Sequence, residues 1–111
     1  MSDDYQIPIP PSFEAMHRDA RGRLGLPLSE FRQRYELCED LAQQAVDSAQ
    51  AAHHDIGLDQ DAVLQRCQAG LTQAELGLEP RELDWIILRL AELLGWPFPA
   101  WLPAPEPPPR R

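Results

Sequence analysis

LSEFRQRYELCEDLAQQAVDSAQAAHHDI, residues 28–56, decides the fold. Its apolar residues Phe31, Tyr35, Cys38, Ala42, Ala45, Ala49, Ala52 and Ile56 are separated by alternating steps of four and three. That spacing is a heptad seam on one face of a long helix. No proline or glycine interrupts it before Gly57, which stands where a C-terminal cap belongs, with Leu58 as the apolar residue after it. A helix of this length spans ~43 Å. Alanines in the middle of the seam allow a partner helix to approach closely, and Leu37, Leu41 and Val46 widen the apolar stripe.

Towards the N-terminus, Pro8, Pro10 and Pro11 block a helix and hold residues 1–11 as an extended strap carrying Ile7 and Ile9. Ser12 is then expected to cap a first helix over 13–21, carrying Phe13, Met16, His17 and Ala20 and stopped by Gly22. Towards the C-terminus, Asp59 caps a helix over 60–69 that Gly70 ends. Thr72 and Glu75 have capping-box spacing for a single turn over 73–76. Pro80 opens a last helix over 80–94, with Leu83, Ile86, Ile87, Leu90, Leu93 and Leu94 as its core stripe and Trp85 and Leu88 on another face. Residues 97–111 are proline-rich and expected to be largely disordered, with Trp96 and Phe98 docking on the domain.

The chain therefore reads as all-α, a small bundle of three to four helices around one long amphipathic helix, with the helical domain over 12–96 and extended proline-rich segments at both ends. It has room for one modest core. Either the chain covers its own seam or a second copy does, which makes a homodimer possible.

Composition narrows the function. A net charge of -8 disfavours phosphate backbones and anionic membranes, so neither nucleic acid nor membrane is an expected partner. All ten basic residues are arginines, which removes chemistry that needs a lysine amine. The acidic N-terminus lacks the pattern of a secretory signal, and no apolar run reaches the length of a membrane span, so a cytoplasmic protein is expected. Cys38 and Cys67 lie far apart inside helical patterns and read as buried thiols, and Glu39 and Asp40 beside Cys38 oppose a thiolate.

Glu14 and His17 share a helical face, but one E-x-x-H step is only part of a di-iron site, and His17 is expected to be half-buried at the core edge. His53 and His54 are adjacent and so point about a hundred degrees apart, a poor chelating pair whose charge instead suits a helix C-terminus. The run from Gly70 to Gly77 resembles the opening of a recognition helix in helix-turn-helix repressors. The next residues, Leu83, Trp85, Ile86, Ile87 and Leu88 with acidic Glu82 and Asp84, stand where base readout wants polar and basic side chains. An arginine group, Arg18, Arg21, Arg23, Arg32 and Arg34, could hold an acidic or phosphorylated partner, or could pair internally with Asp19, Glu30, Glu36 and Glu39. No catalytic residue, metal ligand or cofactor site emerges, and the chain is expected not to be an enzyme.

Ile7-Pro8-Ile9-Pro10-Pro11-Ser12-Phe13, Arg34-Tyr35-Glu36-Leu37-Cys38-Glu39-Asp40-Leu41-Ala42 and Arg89-Leu90-Ala91-Glu92-Leu93-Leu94-Gly95-Trp96 together resemble small bacterial proteins often labelled "ATPase with chaperone activity". The resemblance runs from the N-terminus to Trp96 and brings no defined catalytic residues. With no phosphate cradle and no lysine in the chain, it implies an accessory role beside a chaperone ATPase or its client. The reading is a non-enzymatic protein-interaction module, an adaptor or regulator, with Arg18, Arg21, Arg23, Trp96, Phe98 and Trp101 as candidate contacts. The alternatives are a helix-turn-helix-like DNA-binding regulator and, behind it, a metal-dependent enzyme. Saturating magnesium-ATP is accordingly expected to leave the melting temperature unchanged, and a clear rise would restore a nucleotide role.

Overall fold

Pattern becomes helix almost everywhere the sequence demands it. The computed structural model describes residues 9–102 as an all-α bundle of helices α1 (Pro11–His17), α2 (Leu28–Ala51), α3 (Gln60–Gln73) and α4 (Pro80–Leu94). Among these residues the β-type pairing is one isolated antiparallel bridge, Arg18 with Leu24. Two compact units divide within α2. One includes the chain up to Tyr35 and the other runs from Glu36. Ile7, most of the strap and the tail beyond Leu102 lie outside the described residues.

In the first unit, α1 begins a little earlier than expected. Pro11, not Ser12, sets the start: it occupies the first helical position, where its missing amide hydrogen has no intrahelical partner to lose. The Pro10 carbonyl accepts from Phe13 N and Glu14 N. The helix also stops at His17, short of Arg21. Arg18 is extended, and the Asp19 carboxylate Oδ1 accepts from the amides of Arg21 at 2.9 Å and Arg23 at 3.0 Å. A short acidic side chain competing for backbone donors in this way ends helices. Gly22, at φ 82°, belongs to the resulting turn instead of capping α1. His17 O accepts from Gly25 N and closes the turn.

The core of this unit is aromatic. Phe13 lies 5.7 Å from Phe31 and 5.4 Å from Tyr35 between ring centroids, and His17 lies 5.1 Å from Phe13. His17 is therefore not at the half-buried edge; only 7% of it is exposed. The reason is position: it shares a helical face with Phe13, and Phe31 packs against its ring edge.

In the second unit, Ala49, Val63, Leu64, Ile87, Leu90, Ala91 and Leu102 form one buried cluster. The expected helix over 28–56 is α-helical only to Ala51, and Ala52–Ile56 widens into a π-helical turn. Both Gly57 N and Leu58 N donate to Ala52 O, with Gly57 at φ 86° in the left-handed region that a glycine tolerates. The wider turn takes its own last residue, Ile56, off the seam. Seam residues are buried at Cys38, Ala42 and Ala49, whereas Ile56 is 64% exposed.

Asp59 caps α3 as expected, its Oδ1 accepting from Ala62 N at 2.8 Å. Gly70 does not stop that helix, and the separate helical turn expected over 73–76 does not form. The Thr72 hydroxyl donates back to Gln68 O, so Thr72 is an interior helical residue and not a cap. Termination falls to Glu75, at φ 54°, a left-handed conformation without a glycine.

Helix α4 keeps its expected bounds. Glu82, buried, accepts from Glu79 N at 3.0 Å at its start, and Gly95, at φ 73°, ends it. Its buried face, however, comprises Trp85, Ile86, Ile87, Leu90 and Ala91, while Leu83, Leu93 and Leu94 are half-buried. The tryptophan thus faces inward. The tail also corrects expectation: Pro99 and Leu102 are buried and Phe98 is exposed, so the segment docks through its far end. Burial of Leu90 at the centre of this cluster predicts that Leu90→Ala costs ~2–5 kcal/mol in urea denaturation, whereas a loss below ~1 kcal/mol would place the core elsewhere.

Candidate functional site

The π-helical turn and the segment after α4 meet at a pair of rings. His53, within the turn, lies 5.1 Å from Trp96, which comes directly after Gly95 at the end of α4. The capping bond from Trp96 N to Ala91 O, 2.9 Å, fixes where that tryptophan leaves the helix. His53 Nδ1 is 2.7 Å from Leu58 O. A carbonyl only accepts, so Nδ1 carries the proton in this contact. The His54 ring packs edge-on at 4.9 Å from His53.

The segment beyond Trp96 is pinned. Trp96 and Trp101 both pack against the buried cluster, Pro99 is buried, and Leu102 N donates to Pro99 O at 3.1 Å. Prolines at 97 and 99 fix their φ, so the intervening Phe98 is held out from the domain on a restricted backbone, with 44% of it exposed. The Trp101 indole Nε1 is buried and has no hydrogen-bond partner among the described residues.

The arginine group is dispersed by its own neighbours. Arg18 pairs with Glu14 at 3.2 Å and also donates to Gly22 O, so Glu14 is engaged with Arg18. Arg21 and Arg23 are exposed beside it, and Asp19, their expected acidic partner, is committed to their backbone amides. Those amides of Arg23 and Arg21 hold the Asp19 carboxyl below its ordinary value. Glu39 is engaged elsewhere: Arg89 grips it with Nε to Oε1 at 2.8 Å and Nη2 to Oε2 at 3.1 Å, and reaches Glu92 at 3.2 Å.

This Glu39 and Arg89 fork joins residues of α2 and α4, and sequence reasoning missed it because no local spacing links two positions so far apart. The exposed Ile56 and the anchors Pro99 and Leu102 were missed for a similar reason. Burial works against the Glu39 charge, but the Arg89 bonds, helped by Gln43, bring its carboxyl below the ordinary value.

The thiols give little to build on. Cys38 is buried, and burial pushes the half-buried Cys67 thiol up against the opposing charge of Arg66. Burial likewise raises Asp84, whose carboxylate accepts from Gln68 at 3.1 Å. Among the described residues no group of three or more His, Cys, Asp or Glu is placed to hold a metal ion, and no helix is long and apolar enough to cross a membrane. The stretch from Gly70 to Gly77 completes α3 and a turn in place of opening a second helix.

Set beside known proteins, the chain matches no family model, no curated protein and no solved structure.

The Arg89 fork carries a pH-dependent prediction. Arg89→Met is expected to destabilise the chain by about 1–2 kcal/mol near neutral pH. Because Glu39 titrates below its ordinary value in the folded chain, its contribution is present above the ordinary carboxylate range and is lost as pH falls through the lowered folded value. Urea denaturation across that range should show the gap between wild type and variant closing on the acid side. A gap independent of pH would assign the loss to packing instead.

Proposed function

We propose that this chain is a non-enzymatic protein-interaction module whose contact surface is built around Phe98 and the ring pair of His53 and Trp96. The observation that carries it is an exposed phenylalanine between two prolines, on a segment whose far side is buried. A large apolar side chain on a restricted backbone loses little further freedom on docking, which suits an interface anchor. Ile56, the last residue of the same π-helical turn, is a second exposed apolar group of this unit.

The long seam contributes less to such a surface than its pattern suggests, since Cys38, Ala42 and Ala49 are already buried. An adaptor role beside a chaperone ATPase or its client rests on the resemblance of the segments ending at Trp96 and on nothing else. The absence from the sequence of a phosphate cradle and of lysine favours an accessory over a catalytic part.

Affinity capture with the full chain as bait tests the proposal. Phe98→Ala and Ile56→Ser change exposed residues, so both variants should melt as the wild type does. Recovery of a specific partner is expected to fall about ten-fold or more in Phe98→Ala. Equal recovery by wild type and both variants, or no partner at all, would retire this surface. Sedimentation equilibrium separates the remaining occupant: a concentration-dependent dimer lost in Phe98→Ala identifies a second copy.

A further inference from the structure

The turn after α1 offers a contact of different chemistry, independent of the Phe98 surface. Five arginines stand against two acids between Arg18 and Arg34, in a chain whose net charge is -8. The backbone of the turn is locked on itself. Asp19 N donates to Arg23 O at 2.8 Å, Gly22 N to Asp19 O at 2.9 Å, and the Asp19 carboxylate takes the amides of Arg21 and Arg23. Arg18 braces the turn from inside through Gly22 O and Glu14.

Of the two nearest described acids, Asp19 is held by the amides of Arg21 and Arg23, with the Arg23 charge also acting on it, and Glu14 is paired with Arg18. The side chains of Arg21 and Arg23 are thus presented from a fixed backbone, on either side of a glycine. Among the described residues other than its two chain neighbours, nothing lies within 4 Å of where a Gly22 Cβ would be.

We infer that this turn is a docking point for a short acidic segment of a protein partner, gripped by the guanidiniums of Arg21 and Arg23. Guanidinium and carboxylate match as bidentate forks, and a backbone that is already ordered lowers the cost of binding. Nucleic acid fits less well. Tight binding to a duplex draws on many phosphate contacts, whereas the turn supplies two arginines on a chain whose remaining charge repels a long polyanion.

Fluorescence anisotropy of a short fluorescein-labelled oligoglutamate, titrated with the full chain at low and moderate ionic strength, tests the inference. Binding is expected to weaken with salt, and to weaken by about ten-fold or more in the Arg21→Glu, Arg23→Glu double variant. Arg66→Glu, which alters an exposed charge on α3, should leave it unchanged. The double lysine variant keeps the charge but loses the fork, and should fall between. Thermal melts monitor folding, which the substitutions should spare because Asp19 holds backbone amides and not these side chains. Undetectable oligoglutamate binding, or an equal loss in Arg66→Glu, overturns the inference. So does tighter binding of a duplex DNA of matched length that the double variant abolishes, which would assign the turn to nucleic acid.

Discussion

The second unit depends on the close packing that small residues permit in its buried cluster. Ala49 from α2 and Ala91 from α4 are both buried there beside Ile87 and Leu90. An alanine buries little area by itself, but it lets larger neighbours from facing helices reach full contact, and the dispersion gain grows with that contact. The Glu39 and Arg89 fork is compatible with this arrangement because its stems can lie along apolar surface while both charged heads satisfy each other. The bonds from Arg89 more than offset the desolvation of Glu39, so the pair ties α2 to α4 at these two positions.

Side chains competing for the backbone explain where the helices end. Asp19 diverts two amides and ends α1 ahead of Gly22, the residue whose type and position point to a cap. Thr72, which has the residue type of a cap, donates to the preceding turn and stays helical. After α2 the widened turn from Ala52 to Ile56 leaves Ile56 exposed and brings His53 to Trp96. Turns of this kind cost hydrogen-bond geometry, and they persist where neighbouring contacts hold them. Here the His53 bond to Leu58 O and the ring of Trp96 supply those contacts.

The seam and the bounds of α4 were legible because both rest on periodicity and on strong punctuation. Alternating steps of four and three identify a buried face whatever packs on it, and Pro80 and Gly95 bracket α4 at positions where their backbone preferences are satisfied. Gly70 misled because a glycine raises the cost of a helix by only about 1 kcal/mol, which tertiary packing on both sides of it can override. The inward face of Trp85 was missed because a helix that is apolar over much of its circumference leaves its orientation open to what surrounds it. Of the candidate contacts, exposure at Arg21, Arg23 and Phe98 could not be read from sequence at all. It is set by where Asp19 points and by which end of the last segment is buried.

Two surfaces of unlike chemistry result, each on its own unit. One is apolar and presented by prolines; the other is cationic and presented by an Asp-closed turn. In both, the restriction lies in the backbone and not in the exposed side chain. Prolines at 97 and 99 restrict φ covalently, while Asp19 restricts the turn through bonds that persist as long as its carboxylate is ionised. The amides of Arg23 and Arg21 hold that carboxyl below its ordinary value, so it stays ionised further into the acid range than a free aspartate. The presentation of the arginines is therefore tied to a single acid, which holds their backbone amides while the Arg23 charge also acts on it.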